Sequence, residues 1–366
     1  MIKNKQNEMF PEKIPPFLKN KMEAIRKEKG ENSGDYKGIY LQYKKLGLEN
    51  IPTKEENVKH WEADLDVELG GHKLRGVERL YRRNMVIEPT MICAARCRYC
   101  LRAGYDTFTL SESELTKIAQ YCGSKELRDE VREVLITGGD PFIIPQRLGF
   151  FIESIARYAP NIKIARIATR LLTQDPARIG NNVIEIFKKK LDIRFEIATQ
   201  INHPVEFFPE TIERLKVFKE MGIAIYSQNV LLKGVNDDIA TLVELYDKMR
   251  AFGIEAHYLF HCLPMKGMHH LRTSLAKGLE LAKKLTNSGV ISGRAKPMYA
   301  AMTDIGKITL YEGTILKRDS HNRILLQSDY LYQERINWNP SWQLPKTAEV
   351  DENGYLLMWY LDGSDS

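Results

Sequence analysis

At 366 residues, 43% hydrophobic and 28% charged, the chain has an ordinary globular make-up. It is long enough for one barrel-sized domain or two average ones, and its composition excludes a collagen-like, disulfide-scaffold or disordered chain. The net charge of +6 comes from 54 basic and 48 acidic residues, and its clusters (Arg26–Lys27, Lys29, Lys44–Lys45) read as solvated helix faces, so no nucleic-acid partner is expected.

No apolar run reaches the length of a membrane span. The opening MIKNKQNEMFPEKIPPFLKN is basic but lacks an apolar core. A cytoplasmic location with no membrane partner is the expectation.

Residues 1–80 are polar and rich in helix formers, and MEAIRKEKG and GIYLQYKKLGLENI suggest short amphipathic helices stopped at Gly30 and Gly47. From Asn84 the texture changes. NMVIEP suggests a first strand, and SESELTKIAQYC a helix with a capping box from Ser111 and Glu114. EVLIT (133–137) then suggests a strand and PQRLGFFIESIARY a helix. IKIARIAT (162–169) suggests a strand, followed by a helix over PARIGNNVIEIFKKK opened by Pro176. IRFEIAT (193–199), IAIYSQNVLL (223–232) and IEAHYLFHCL (254–263) suggest three more strands, each followed by a helix that ends near Gly222, Gly253 and Gly289 in turn.

Six strand–helix units of about 30 residues imply parallel strands with right-handed crossovers. The expected fold is α/β, a partial (β/α)6 TIM-type barrel. It would comprise an N-terminal helical region over 1–80, the barrel over 81–295 and a C-terminal extension over 296–366 that covers the barrel mouth or pairs subunits. Catalytic groups would gather at the C-terminal strand ends.

Three of the five cysteines, Cys93, Cys97 and Cys100, fall within eight positions directly after the first expected strand. Three thiolates in one loop can hold three irons of a 4Fe–4S cluster and leave the fourth iron open to a small chelating molecule. Structural zinc would want a fourth ligand, and none is obvious nearby. Gly138, Gly139 and Asp140 end the second strand, where glycine lets backbone approach a ligand and an acid can receive an ammonium group. Thr169 and Arg170, Gln200 and His203, and Gln228 and Asn229 follow the next three strands. One such residue alone would read as a cap; together they suggest a polar ring at the barrel mouth. An iron–sulfur regulator or electron carrier would leave that ring unexplained.

The spacing C-x3-C-x2-C at the end of a barrel's first strand resembles the signature of radical S-adenosylmethionine enzymes. Over about 75–335 the chain resembles the lysine 2,3-aminomutase family, through CRYCLR (97–102), LITGGDP (135–141), RIATRLLTQDPARI (166–179), NHP (202–204), SQNVLLKGVND (227–237) and HHLRTSLAKGLE (269–280). The resemblance implies a 4Fe–4S cluster on Cys93, Cys97 and Cys100. It implies S-adenosylmethionine beside Gly138, Gly139, Asp140 and the polar ring, and cleavage to a 5′-deoxyadenosyl radical that takes hydrogen from the substrate. It also implies a flavodoxin- or ferredoxin-type electron donor, a homo-oligomer, and Arg102 gripping the carboxylate of a small amino acid or related substrate.

The family's pyridoxal phosphate forms a Schiff base with a lysine after a glycine run, and that position falls on Lys307 in AMTDIGK (301–307). Only Gly306 of the run is kept. The family's phosphate-contacting arginine falls on Asn84, and a tyrosine near the pyridine ring on Phe260. These departures leave use of pyridoxal phosphate open, and with it a second reading: a pyridoxal-phosphate-independent epimerase, dehydrogenase or other rearrangement enzyme. The two aspartates that hold a lysine side chain fall on Leu263 and Ala300, so lysine is not the expected substrate of this aminomutase-like isomerase. His261, Lys266, His269, His270 and Arg272 could suit an acidic or polar substrate, or serve as caps and surface groups. A zinc-binding cysteine of the family falls on Asp238, and the C-terminus carries no cysteines, so no zinc is expected.

Overall fold

The computed structural model describes residues 11–51, 66–69, 72–102, 106–287 and 289–365. Among the described residues, ten strands form one continuous sheet in chain order. β1 (Asp66–Leu69), β2 (His72–Tyr81) and β3 (Asn84–Thr90) pair antiparallel. From β3 the pairing is parallel through β4 (Glu133–Gly138), β5 (Ile164–Ala168), β6 (Arg194–Thr199), β7 (Ala224–Leu231), β8 (Ile254–His261) and β9 (Met298–Thr303). β10 (Gly306–Thr309) turns back antiparallel on β9.

The helices are α1 (Pro16–Lys29), α2 (Gly34–Tyr43), α3 (Glu112–Cys122), α4 (Pro145–Tyr158), α5 (Leu171–Gln174), α6 (Asn181–Phe187), α7 (Pro209–Glu220), α8 (Ile239–Ala251), α9 (Leu275–Asn287) and α10 (Tyr332–Trp338). The six expected strands and their crossovers are all present, which gives the partial α/β barrel. The capping box of α3 also forms, with Ser111 and Glu114 exchanging side-chain-to-backbone bonds. Pro176 opens only a short 3₁₀ turn; α6 starts afresh after Gly180, which caps it.

Two expected boundaries move. The N-terminal region is not only helical, because β1 and β2 extend the sheet beyond the first expected strand. The barrel does not end at 295, because β9 adds a seventh parallel strand and β10 follows it. Alanines and short length hide β9 (MYAAMT) from a periodicity reading. Beyond β10 lies a separate antiparallel sheet of β11 (Ile315–Arg318), β12 (Arg323–Leu331), β13 (Ala348–Val350) and β14 (Tyr355–Leu361), in the order β11-β12-β14-β13.

Strand alternation sorts the side chains. On β7, Ile225, Ser227, Asn229 and Leu231 are buried, and Tyr226, Gln228 and Val230 between them are half-buried. The first set faces the crossover helices and the second the lumen, as alternation in a barrel requires. The two ends of the sheet approach each other: the Lys307 backbone N–H on β10 donates to the Tyr81 hydroxyl at the end of β2 at 3.1 Å.

The terminal regions are anchored on the barrel. Arg272, fully buried, donates to the carbonyls of Cys262 (3.1 Å), Asp362 (3.1 Å) and Leu361 (2.5 Å), tying β14 to the loop after β8. Arg335 on α10 donates to the Ile305 carbonyl at 2.7 Å in the β9–β10 turn. Among the described residues, no helix is long and apolar enough to cross a membrane.

Candidate active site

The cysteine loop starts where β3 ends, and the N-terminal helices wrap it. The Lys13 carbonyl accepts from Arg96 N at 2.8 Å, and the Gln42 carbonyl from Arg98 N at 2.9 Å. Arg98, fully buried, pairs with Glu49 at 3.0 Å, while Ala95 and Cys97 pack into the apolar cluster of α1 and α2. None of the five cysteines forms a disulfide.

Burial pushes the Cys93 thiol up, with Asp140 and the other two loop cysteines adding to it; burial does the same to Cys100, with Cys97 adding. Desolvated thiols that repel one another as thiolates need a cation to balance them, and an iron–sulfur cluster provides one. Among the described residues, no three Cys, His, Asp or Glu side chains converge on a single metal ion. The residues present nonetheless fit a 4Fe–4S cluster through that charge balance.

Gly138 and Gly139 bring the end of β4 against the first residues of this loop. Gly139 N donates to the Thr90 carbonyl at 2.7 Å, and Asp140 N to the Ile92 carbonyl at 2.9 Å. A Cβ on Gly139 would stand 2.5 Å from Ile92 N and Met91 C.

Asp140, expected to receive an ammonium group, is instead engaged within the protein. Its carboxylate accepts from Thr169 Oγ1 (2.9 Å), Arg170 N (2.8 Å), Phe142 N (3.1 Å) and Leu171 N (3.2 Å). Burial still pushes its carboxyl up to about 6. It clamps the turn after β5, and that clamp fixes Arg170. The Arg170 guanidinium then donates to Cys97 Sγ at 3.1 Å and Glu206 Oε2 at 2.8 Å, and to the Tyr99 hydroxyl.

The lumen holds the second group. Lys307 is opposite Met302 in the β9–β10 register, and its ammonium lies 4.9 Å from the Tyr258 ring centre and 5.7 Å from those of Phe260 and Tyr81. Burial, with the charge of Arg166 adding, brings its amine down to about 8. Its backbone is fixed from both sides, by the Tyr81 hydroxyl and by the Tyr330 hydroxyl, which donates to the Lys307 carbonyl at 2.8 Å. Gly306, at φ 126°, passes Tyr330 so closely that a Cβ would stand 3.0 Å from its hydroxyl. Arg166 pairs with Glu133, which also accepts from Asn84, and donates to the Tyr226 hydroxyl at 3.4 Å. Gln228 Nε2 is buried in the same wall without a hydrogen-bond partner.

Several expected site residues are elsewhere. Asn229 lies on the helix-facing side of β7, bonded to the Ile201 carbonyl and, at 3.5 Å, to the Tyr246 hydroxyl of α8. His203 Nδ1 accepts from Val205 N at 3.2 Å, and its ring lies against Gly38 of α2. Gln200 offers its backbone carbonyl to Arg170 Nε at 3.2 Å. Arg102 is ion-paired to Glu88 and, at 3.5 Å, to Glu78.

Of the residues at and after the end of β8, Arg272 is the clamp on β14 rather than a ligand group, and His261 Nδ1 bonds the Tyr299 hydroxyl at 2.7 Å. Asp238 caps α8 through Thr241 N at 2.9 Å. Arg166, Glu133, Glu88 and Tyr81, each of which lies within a strand, are not singled out from the sequence. Polar residues alternating with apolar ones along those strands were the available signal.

The chain matches the model of the radical SAM superfamily over residues 87–246. That superfamily implies a 4Fe–4S cluster, S-adenosylmethionine, a small-molecule substrate and an electron donor. The chain is 30% identical over 326 residues to the L-lysine 2,3-aminomutase of Methanococcus maripaludis, covering 88% of this chain and 71% of that one. A putative L-lysine 2,3-aminomutase of Aquifex aeolicus is 34% identical over 253 residues, covering 66% of this chain and 65% of that protein. The glutamate 2,3-aminomutase of Clostridioides difficile is 30% identical over 259 residues, covering 69% and 60%. This chain thus spans about two thirds of the length of these curated relatives. With the cysteine loop, the glycine-ended β4 and the lumen lysine in place, the chain belongs to the lysine 2,3-aminomutase family of radical S-adenosylmethionine enzymes.

Proposed function

We propose that the chain holds a 4Fe–4S cluster on Cys93, Cys97 and Cys100, generates a 5′-deoxyadenosyl radical from S-adenosylmethionine, and shifts an amino group between adjacent carbons of an amino acid other than lysine. The observation that carries this reading is Lys307: a lumen amine walled by aromatic rings and brought down to about 8. A lysine acts as a nucleophile only when deprotonated and desolvated; burial desolvates this one and lets it lose its proton near pH 8, well below an ordinary lysine. When bound, the cluster supplies the electron that splits S-adenosylmethionine, and pyridoxal phosphate on Lys307 would carry the migrating amino group.

The rest is the work of this chain. Tyr81 and Tyr330 hold the Lys307 backbone so that its amine projects across the gap between β2 and β10. Tyr258 and Phe260 keep water from it. Gln228 offers two N–H donors to a ligand oxygen in the same wall. Arg102 can serve a substrate carboxylate only by exchanging it for Glu88 or Glu78.

The substrate assignment rests on what stands in the acid positions. Leu263 is buried with Cys262, Met265 and Met268, and Ala300 is buried on β9. An ammonium group brought there would lose its hydration without a counter-charge, a cost of several kcal/mol. Glu88, Glu133 and Glu196 each already face an arginine. That a relative is named for glutamate agrees with a non-lysine substrate.

Asn84, bound to Glu133 where the family's arginine would stand, favours the second reading, radical chemistry without pyridoxal phosphate. One experiment separates the two. Anaerobically reconstituted holoprotein is incubated with pyridoxal phosphate, reduced with borohydride and digested. An adduct on Lys307 is expected, and its absence after saturating incubation removes the aminomutase mechanism. With dithionite and S-adenosylmethionine, 5′-deoxyadenosine should form. Failure to form it overturns both readings, and rapid conversion of L-lysine overturns the substrate assignment.

A further inference from the structure

A buried polar network joins the N-terminal helices to the cysteine loop. Gln42 and Tyr43 end α2, Tyr99 lies inside the loop, and Arg170 and Gln174 follow β5. Asn202 and Glu206 follow β6. Gln42 Oε1 accepts from the Tyr99 hydroxyl (3.0 Å), Asn202 Nδ2 (3.1 Å) and Arg170 Nη2 (3.2 Å). Gln42 Nε2 donates to Glu206 Oε1 at 3.0 Å, while Glu206 Oε2 takes Arg170 at 2.8 Å. The Arg170 guanidinium also lies 5.4 Å from the Tyr43 ring centre.

Two side chains of this network point at one sulfur. Arg170 Nη1 donates to Cys97 Sγ at 3.1 Å and Gln174 Nε2 at 3.4 Å. A guanidinium kept only for Glu206 would not need this placement. Its direction is set by the Asp140 clamp on its backbone, by Gln42 and by the Gln200 carbonyl together. Reducing an iron–sulfur cluster adds negative charge that spreads onto its thiolates. N–H donors at those sulfurs, and a positive charge above all, favour the reduced state and raise the reduction potential.

We propose that Arg170, with Gln174 and braced by Gln42, sets the reduction potential of the cluster through Cys97 Sγ. Gln42 then makes α2, which lies outside the 87–246 family match, part of the redox machinery. This goes beyond the cofactor contact that the family resemblance implies for Arg170, and makes it a positioning and tuning residue. It rests on the reading that Cys97 ligates a cluster.

The test is an anaerobic redox titration of reconstituted protein followed by electron paramagnetic resonance, with iron and sulfide counted in each sample. Arg170→Gln should keep its cluster and titrate at a more negative potential. At the solution potential that half-reduces the parent protein, its ratio of reduced to oxidised cluster should fall about tenfold, equivalent to about 59 mV for one electron. Gln174→Leu and Gln42→Leu should move the same way by less, and Arg170→Lys should retain part of the effect through its charge. Gln174→Leu leaves no charge unpaired, so it stays readable should Arg170→Gln not fold. An unchanged midpoint in Arg170→Gln at full cluster content, or in Gln174→Leu if only that variant folds, overturns the proposal while leaving the cluster in place. A parent protein that assembles no 4Fe–4S cluster overturns the reading beneath it.

Discussion

Lys307 is an ordinary residue type in an unusual solvent. Below about pH 8 the folded protein carries an ammonium that burial disfavours, whereas the unfolded chain keeps its proton to about 10.5. Between those values the unfolded state binds more protons, so folded stability rises with pH. Lys307→Met should therefore stabilise the protein at pH 7, by on the order of 2 kcal/mol. The gain should shrink towards pH 10, as read from urea midpoints at both pH values; a gain independent of pH would show that the amine is not desolvated. Asp140 is the opposite kind of residue, buried but surrounded by donors. Asp140→Ala should cost about 3 kcal/mol or more in denaturant unfolding at pH 7, because a hydroxyl and three backbone N–H groups lose their acceptor. It should also make the cluster's reduction potential more negative, since Arg170 would lose its fixed position. The three cysteines were legible in the sequence because their chemistry needs close spacing. Gln228 and Asn229 were legible only as a pair of polar neighbours; strand alternation sends one to the lumen and the other to α8.

At the scale of elements, the end of β4 and the cysteine loop share backbone. Gly139→Ala would press its Cβ into the main chain at Met91 and Ile92, one residue ahead of Cys93. The variant should retain the secondary structure of the parent by circular dichroism and lose most of its iron after reconstitution. Full cluster content would show that the loop tolerates the shift. Gly38 makes a similar close approach, with the His203 ring 2.5 Å from where a Cβ would be. His203, which the sequence suggests for the barrel mouth, is thus packed against α2. Strands rich in Ile and Val announced themselves; β9, built on alanine, did not. Its place follows instead from the need to give β8 a partner on its free edge.

At the scale of the molecule, the terminal regions are clamped onto the barrel by buried arginines. Arg272→Ala would take one donor from each of three carbonyls and free β14 from much of its hold on the loop after β8, at a cost on the order of 3–5 kcal/mol. Limited proteolysis should then cut within residues 315–361 faster than in the parent, while the 5′-deoxyadenosine yield falls less than the stability does. Unchanged cleavage rates would mean that the other contacts, Arg335 to Ile305 among them, suffice. None of this clamping was legible from residue types, because an arginine read singly looks like a surface group or a ligand.

The meeting of β2 and β10 places Tyr81 beside Lys307, 226 positions further along the chain. Contacts of such sequence separation are costly to close and form late in folding. The acidity of the Lys307 amine is therefore acquired only when the two sheet edges meet; in a half-wound chain it would be an ordinary, fully protonated lysine. A pulse of amine-reactive reagent at about pH 8, applied at intervals during refolding, would use this one side chain as a clock for barrel closure. Labelling at Lys307 would fall at the moment the last edge docks and the rings close over the amine, long after the crossover helices give their circular dichroism signal.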